Sequence, residues 1–213
     1  MTRVEAILSK VRANLSDLDK ERWTDEQLIT YIDSAQKELV ALTGSLKDVI
    51  YINLVNGEQV YTLPDEVINI LAVFYNSKKL PFKAMDEEFL TDDKGLPQYV
   101  LTNMVNDGKI ILYPIPDGID EENDYLKVFI TKMPRQITSV DNILDINGMY
   151  DLAIEYYVTY RALIGNQDTV SLQLAAEFKS KYLQYLDLLN KNSSISYKQF
   201  IRVSEYKGFL WLM

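Results

Sequence analysis

Residues 48–64 read DVIYINLVNGEQVYTLP, and at this point the hydrophobic period of the chain changes. Upstream, apolar residues recur at steps of three and four. From Asp48 they alternate at a period of two, in a run rich in β-branched and aromatic side chains. Asn56–Gly57 sits between the two halves of the run and is the strongest short-range hairpin signal a sequence offers. The spacing therefore predicts that VIYINLV and QVYTL pair as a hairpin, with Pro64 closing the second strand. A chain that turns from helix to strand here belongs to the α+β class.

Immediately upstream, residues 22–44 read RWTDEQLITYIDSAQKELVALTG. Thr24 is placed to act as N-cap and Gln27 to complete a capping box by reaching back to the cap's own N–H. Trp23 and Leu28 occupy the two positions of a hydrophobic staple. Asp25 and Glu26 put negative charge in the first turn, where the helix dipole favours it. Leu28, Ile32, Ala35, Leu39 and Leu42 then form one stripe, and Gly44 stops the helix. Before it, Val4, Ile7, Leu8, Val11 and Leu15 mark a first helix over residues 2–15, with SDLDKER as a polar connector.

Downstream, VINILAVFYN reads as a mostly buried strand, followed by a turn at Ser77–Lys78 and a short LPF strand. AMDEEFL reads as one or two helical turns. QYVLTNMV and KIILYP flank Asn106-Asp107-Gly108, a second hairpin, and YLKVFITKM is a last strand ending at Pro134. All six prolines lie between residues 46 and 147. The helical period then returns. INGMYDLAIEYYVTYRALIG is apolar on nearly all sides, with Asp151, Glu155 and Arg161 its only charges. A helix without a polar face is buried between partners, and Arg161 within it is expected to be held by a carboxylate. After NQDT, a long helix is predicted from Val170 to Leu189 on the stripe Leu174, Phe178, Tyr182, Tyr185 and Leu189.

The expected architecture is mainly helical α+β. Residues 1–45 and 148–190 form a four-helix bundle, and residues 46–147 an inserted antiparallel β-rich lobe. Residues 191–213 form an extended C-terminal arm. In that arm, SSISYKQFIRVSEYKGFLWLM (193–213), Ile195, Tyr197, Ile201 and Val203 alternate in a strand-like period. Phe209, Leu210, Trp211, Leu212 and Met213 end the sequence.

Composition narrows the chemistry. The 213 residues hold no cysteine and no histidine, so disulfides, thiolate metal sites, histidine triads and the usual neutral-pH base are excluded. With 47% apolar and 25% charged residues the chain is ordinary for a globular protein. It contains no membrane-length apolar run, and its N-terminus reads as an amphipathic helix rather than a signal peptide. These features point to the cytoplasm, or to something assembled there.

The net charge of −9 argues against a general nucleic-acid binder or a DNA-binding regulator. Its distribution is uneven: residues 46–147 carry 9 basic and 17 acidic side chains, whereas 191–213 carry 4 and 1. The acidic clusters DEEFLTDD (86–93) and DGIDEEND (117–124) lack calcium-loop spacing and read as solvated surface. No phosphate-binding glycine loop or nucleophile elbow is present. The tyrosines at 150, 156, 157 and 160 have only Arg161 as a basic neighbour, so they read as packing rather than base-stacking residues. A carboxylate-based glycoside hydrolase is the alternative from the enzyme class, and it requires two acids at catalytic separation.

Four segments in series carry a resemblance. RWTDEQLITYIDSAQKELVALTG, YTLPDEVINILAVFYNSKKL, GLPQYV with KIILYPIPDG, and YDLAIEYYVTYRAL resemble, in that order, the head-to-tail adaptor (connector) proteins of tailed bacteriophages, most closely those of short-tailed phages. The resemblance covers residues 2–190. It implies a non-enzymatic virion protein without cofactor or metal, assembled in the host cytoplasm and sited at the portal vertex or neck. It further implies a homo-oligomeric ring, usually of twelve copies, joining the portal protein to tail or nozzle proteins. DNA would pass through the ring's lumen without sequence-specific binding, and no membrane would be involved. A tail-side ring or stopper is the alternative within the class. The arm lies outside the resemblance. Its residues Tyr197, Phe200, Ile201, Arg202, Val203, Phe209, Leu210 and Trp211 are the candidate contacts to a neighbour or the portal, with folding back on its own bundle as the alternative, and Trp23, Thr24, Gln27 and Leu28 are expected to be structural.

Overall fold

The computed structural model describes residues 2–85, 92–102, 108–165 and 168–207. The chain divides into two compact units, one formed by Met1–Leu46 and Met133–Arg202, the other centred on Lys47–Lys132.

In the first unit, α1 (Val4–Leu15) has no side-chain cap. Its leading N–H groups are met instead by chain from far downstream: Val4 donates to the Asn142 carbonyl at 3.0 Å and Glu5 to that of Val140 at 3.1 Å. Leu144 returns a bond to Thr2, and Arg3 bridges Ile143. Helix α2 (Asp25–Thr43) begins with the predicted capping box and ends at Gly44, whose left-handed φ of 59° lets its N–H reach the Val40 carbonyl. A short 3-10 turn, Gly148–Tyr150, leads into α3 (Asp151–Ile164), and α4 spans Thr169–Lys207.

Helix α3 packs on both α1 and α2. Ala153, Ile154, Tyr157, Val158, Thr159, Tyr160, Ala162 and Leu163 are all buried. The missing polar face is thus explained inside one chain, because α3 is the central helix of its own unit. Its apolar character requires no flanking subunit. Helix α4 lies along it through aromatic contacts, with Phe178 at 6.0 Å from Tyr156 and Tyr182 at 5.4 Å from Tyr157, ring to ring.

The arm departs from expectation. Helix α4 does not end near Leu189 but continues to Lys207, so 193–207 is helical rather than extended. The apparent alternation of Ile195, Tyr197, Ile201 and Val203 is outweighed by an established helix that meets no glycine or proline before Gly208.

Among its described residues the second unit contains ten short strands: β1 (Lys47–Asn53), β2 (Val60–Thr62), β3 (Val67–Tyr75), β4 (Lys78–Leu80), β5 (Phe82–Ala84), β6 (Lys94–Gly95), β7 (Tyr99–Thr102), β8 (Lys109–Tyr113), β9 (Ile115–Pro116) and β10 (Tyr125–Lys132). One sheet has the order β1-β10-β3-β4 and is antiparallel throughout; a second has the order β2-β8-β7-β5. Antiparallel pairing prevails, but β5–β7 and the small β6–β9 pair are parallel.

The hairpin expected at Asn56–Gly57 does not form. β1 pairs with β10 and β2 with β8, so the two strands belong to different sheets. A turn is present, with Gly57 at a φ of 81° and its N–H on the Pro116 carbonyl. It hands the chain from one sheet to the other. The β7–β8 pairing expected across Asn106–Gly108 does form. β3 turns into β4 through Asn76 and Ser77, one residue before the expected Ser77–Lys78, and the expected LPF strand is broken at Pro81, with Leu80 ending β4 and Phe82 starting β5. Leu80, Val73, Leu126 and Val128 from the first sheet share one core with Tyr61, Val100, Ile110 and Leu112 from the second. The helical turns expected at AMDEEFL fall largely outside the described residues.

Candidate interface elements

The most heavily built polar feature was not singled out by sequence. Arg12 is buried on the apolar stripe of α1, where its guanidinium reaches acceptors on three residues, Asp17 (carboxylate, and carbonyl at 3.3 Å), Trp23 and Asp25. Nη1 donates to Asp17 Oδ2 at 2.8 Å, while Nη2 donates to the Trp23 carbonyl at 3.0 Å and to Asp25 Oδ1 at 2.5 Å. Asp17, itself buried, also accepts from the backbone N–H groups of Glu21 and Arg22 at 3.0 Å and of Trp23 at 3.4 Å. Lys20 completes the group on Asp25 at 2.8 Å. Burial alone would raise the Asp17 pKa, but the Arg22 and Trp23 N–H groups and the Arg12 charge outweigh it and hold the carboxyl below its ordinary value. The SDLDKER connector is thus a folded loop organised around one arginine. The signal that could have found it is Arg12 itself, four residues after Leu8 on the buried stripe.

This loop delivers Trp23 and Thr24 to the start of α2. The Thr24 hydroxyl accepts from Gln27 N–H at 3.2 Å, and the Gln27 side chain accepts from Thr24 N–H at 3.2 Å. Trp23 and Leu28 are both buried, as a staple requires. Further along α2, Asp33 Oδ1 accepts from Ile137 N–H at 2.9 Å and Gln36 Oε1 from Asp145 N–H at 2.7 Å, fixing the return segment 133–147 against the helix.

Where α2, α3 and α4 meet, Tyr157, Tyr160 and Tyr182 pack edge-on or tilted, and the Tyr182 hydroxyl donates to Glu38 at 2.8 Å. Burial, then the Glu38 charge, pushes Tyr157 up to about 12 and Tyr182 further in the same direction. These phenols are packing and hydrogen-bonding groups. Arg161, expected on a carboxylate, is exposed and stands instead over the Tyr31 ring at 5.8 Å.

In the lobe, the motif residues hold turns. The Tyr61 hydroxyl donates to the Glu58 carbonyl at 3.0 Å and accepts from Val55 N–H at 3.2 Å, closing the link between the two sheets. Leu63 N–H reaches the Gly108 carbonyl and Gln98 N–H that of Tyr113. The acidic tip 120–124 is exposed but anchored. Asp124 accepts from the Tyr75 hydroxyl at 2.8 Å and from Asn76 at 3.0 Å, and Glu121 accepts from Asn56 at 2.8 and 3.1 Å. Most of the other acidic cluster, 86–91, lies outside the described residues.

A glycosidase acid needs a carboxyl whose pKa is raised. Asp17, Asp25, Asp48, Asp124 and Asp168 all shift the other way, in each case through hydrogen bonds or paired cations. Those are the shifts of structural anchors. Among the described residues, no group of three or more acidic side chains is placed to hold a metal ion, and no helix is long and apolar enough to cross a membrane.

Of the candidate contacts, Tyr197, Phe200, Ile201, Arg202 and Val203 fall on the backbone of α4, whereas Phe209, Leu210 and Trp211 lie outside the described residues. The structure brings Trp23, Thr24, Gln27 and Leu28 together at one helix start. A protein-family model described as "SU10 adaptor protein" matches residues 2–202 of the chain, well beyond the 2–190 of the sequence resemblance. No curated protein gives a significant match.

Proposed function

The chain belongs to the SU10 adaptor protein family, and on that premise we propose that this phage structural adaptor forms a ring that joins the capsid portal to the tail. The family match over residues 2–202 is the observation that carries the reading. In the proposed assembly twelve copies surround the path of DNA, with α4 completing a four-helix body and the β-rich lobe inserted between its helix pairs. An acidic wall suits that path, because like charge repels phosphate and lets the duplex slide without sequence-specific contacts. The net charge of −9 has the sign that such a wall needs. The anchoring of Asp17, Asp25, Asp48, Asp124 and Asp168 by hydrogen bonds and paired cations fits a scaffold.

The positions of Tyr197, Phe200, Ile201, Arg202 and Val203 on α4, and Phe209, Leu210 and Trp211 beyond it, form the proposed contact set toward a sister subunit or the portal. Large apolar residues accompanied by arginine are the composition of interface anchors. The experiment is imaging of assembled particles in which this chain carries an epitope label. Label at the portal vertex, between capsid and tail, is expected. Label elsewhere on the particle, or none on it, overturns the reading.

A further inference from the structure

The β1-β10-β3-β4 sheet has one face turned away from the core it shares with the second sheet. Register sets Tyr51 opposite Lys127, Lys127 opposite Phe74 and Phe74 opposite Lys79, one row across all four strands. Their neighbours Ile52, Leu126, Val128, Val73 and Leu80 pack in the core, and side chains alternate along a strand, so the row lies on the opposite face. Contacts within that face agree. Tyr51 meets Tyr125 edge-on at 5.3 Å, Phe74 meets Phe129 at 5.4 Å, and Lys127 Nζ stands 5.1 Å from the Phe129 ring. Ala72 and Phe129, toward the Lys47 end, are buried, whereas Tyr51 is 60% and Tyr125 44% exposed and Lys79 is exposed beside them. No acid occupies a position on this face of the four strands; its charges are Lys47, Lys79 and Lys127. Among the described residues neither Lys79 nor Lys127 makes an ion pair. In a lobe with 17 acids and 9 bases, a face of lysine and tyrosine is a segregated charge.

We propose that this face receives the acidic tip, residues 117–124, of a second copy of the chain. The inference rests on the ring proposed above and assigns it one subunit contact. The tip carries five acids and no base. It is held in shape before any partner arrives: Asp124 by Tyr75 and Asn76, Glu121 by Asn56, and Asp120 by the Glu122 N–H and Asn123. Docking a tip already ordered loses little conformational entropy. Asp117 and Glu122 are exposed, and among the described residues their carboxylates make no hydrogen bond. They are the groups left to meet Lys79 and Lys127, while Tyr51 and Tyr125 supply the rigid aromatic area that interfaces favour. Crowded carboxylates repel one another, and lysines from a second copy relieve that repulsion. Face and tip are different surfaces, so the contact runs one way, and one-way contacts repeated about an axis close into a ring.

The test is carbodiimide cross-linking, which joins an amine to a carboxylate it touches, on an equal mixture of unlabelled and heavy-isotope-labelled full chain, alone and bound to the portal protein. Links from Lys79 or Lys127 to acids of 117–124 are expected in peptides of mixed isotope. A chain with Lys79→Glu and Lys127→Glu, shown folded by circular dichroism, is expected to associate about tenfold or more weakly. A chain with Asp117→Lys and Glu122→Lys is expected to do the same. Mixed, the two offer each reversed face a reversed tip and each native face a native tip, so association is expected to return. Copy-to-copy links confined to other residues, or a mixture no better than either variant, overturn the inference and leave the ring standing. Absence of any copy-to-copy link, with or without portal, overturns both. If a double-stranded DNA fragment shields Lys79 and Lys127 from acetylation and a second copy does not, the face is a nucleic-acid surface and the inference fails.

Discussion

Replacing Asp17 by alanine tests the loop that positions α2. The substitution takes one acceptor from Arg12 Nη1 and strands three backbone N–H groups, those of Glu21, Arg22 and Trp23. Breaking a buried ion pair by removing one partner costs about 3–5 kcal/mol. Arg12 keeps Asp25 and the Trp23 carbonyl, which places the expected loss near 3 kcal/mol. Urea denaturation should report that loss with an unchanged m value, and thermal melts a fall of roughly 6–12 °C. As a comparison, Lys191→Ala breaks an exposed pair with Asp187 and should leave the melt unchanged.

The effect should also carry a pH signature. The folded-state pKa of Asp17 lies below its unfolded value, so its stabilisation is present above the unfolded pKa of about 3.9. It is lost as pH falls through the lowered folded value. The difference in stability between Asp17→Asn and the parent should be constant near neutrality and shrink below about pH 4. A loss under about 1 kcal/mol at pH 7, or one that persists unchanged into acid, would refute the reasoning.

Thr24→Ala should cost about 1 kcal/mol through the lost cap, and Trp23→Ala about 3–5 kcal/mol through the vacated core volume, both read by urea denaturation. Tyr182→Phe should cost about 1.5–2 kcal/mol by removing the bond to Glu38. The raised Tyr157 and Tyr182 values stabilise the fold below pH 10; the Tyr157 contribution is lost as pH rises through about 12, and that of Tyr182 is lost at still more alkaline pH. Ultraviolet titration should accordingly show late tyrosine ionisation that coincides with alkaline unfolding. Deletion after Asn192 should leave the circular dichroism of a folded protein while abolishing ring formation and portal attachment by light scattering and imaging. Intact assembly at unchanged concentration would remove the C-terminal contact role.

Local rules were readable where one stretch supplies all the partners. The Thr24–Gln27 capping box, the Gly44 stop, the β7–β8 pairing and the β3–β4 turn depend on residues close in sequence, and the structure forms each of them. The Asn56–Gly57 hairpin failed because the preference of a turn dipeptide competes with pairing across 72 or more residues, Asn53 with Tyr125 and Lys47 with Thr131. Such pairing leaves no local trace. The arm was misread because four apolar residues within nine positions satisfy more than one period. The absence of any helix breaker before Gly208 was the better guide. The Arg12 cluster stayed hidden because SDLDKER is polar, and polarity alone does not distinguish a solvated connector from one folded around a buried guanidinium. The functional reading followed a different route: four ordered segments gave the resemblance, and the family match over 2–202 gives the membership. No single residue displays it.

The measurement that bears most directly on the ring adaptor is the mass of the complex formed by the full chain with its portal protein, read by light scattering and confirmed by image averaging. The account predicts a discrete closed assembly with twelve copies of this chain on one face of the portal and an open central channel. A chain that stays monomeric beside the portal, or binds it without closing into a ring, would contradict it.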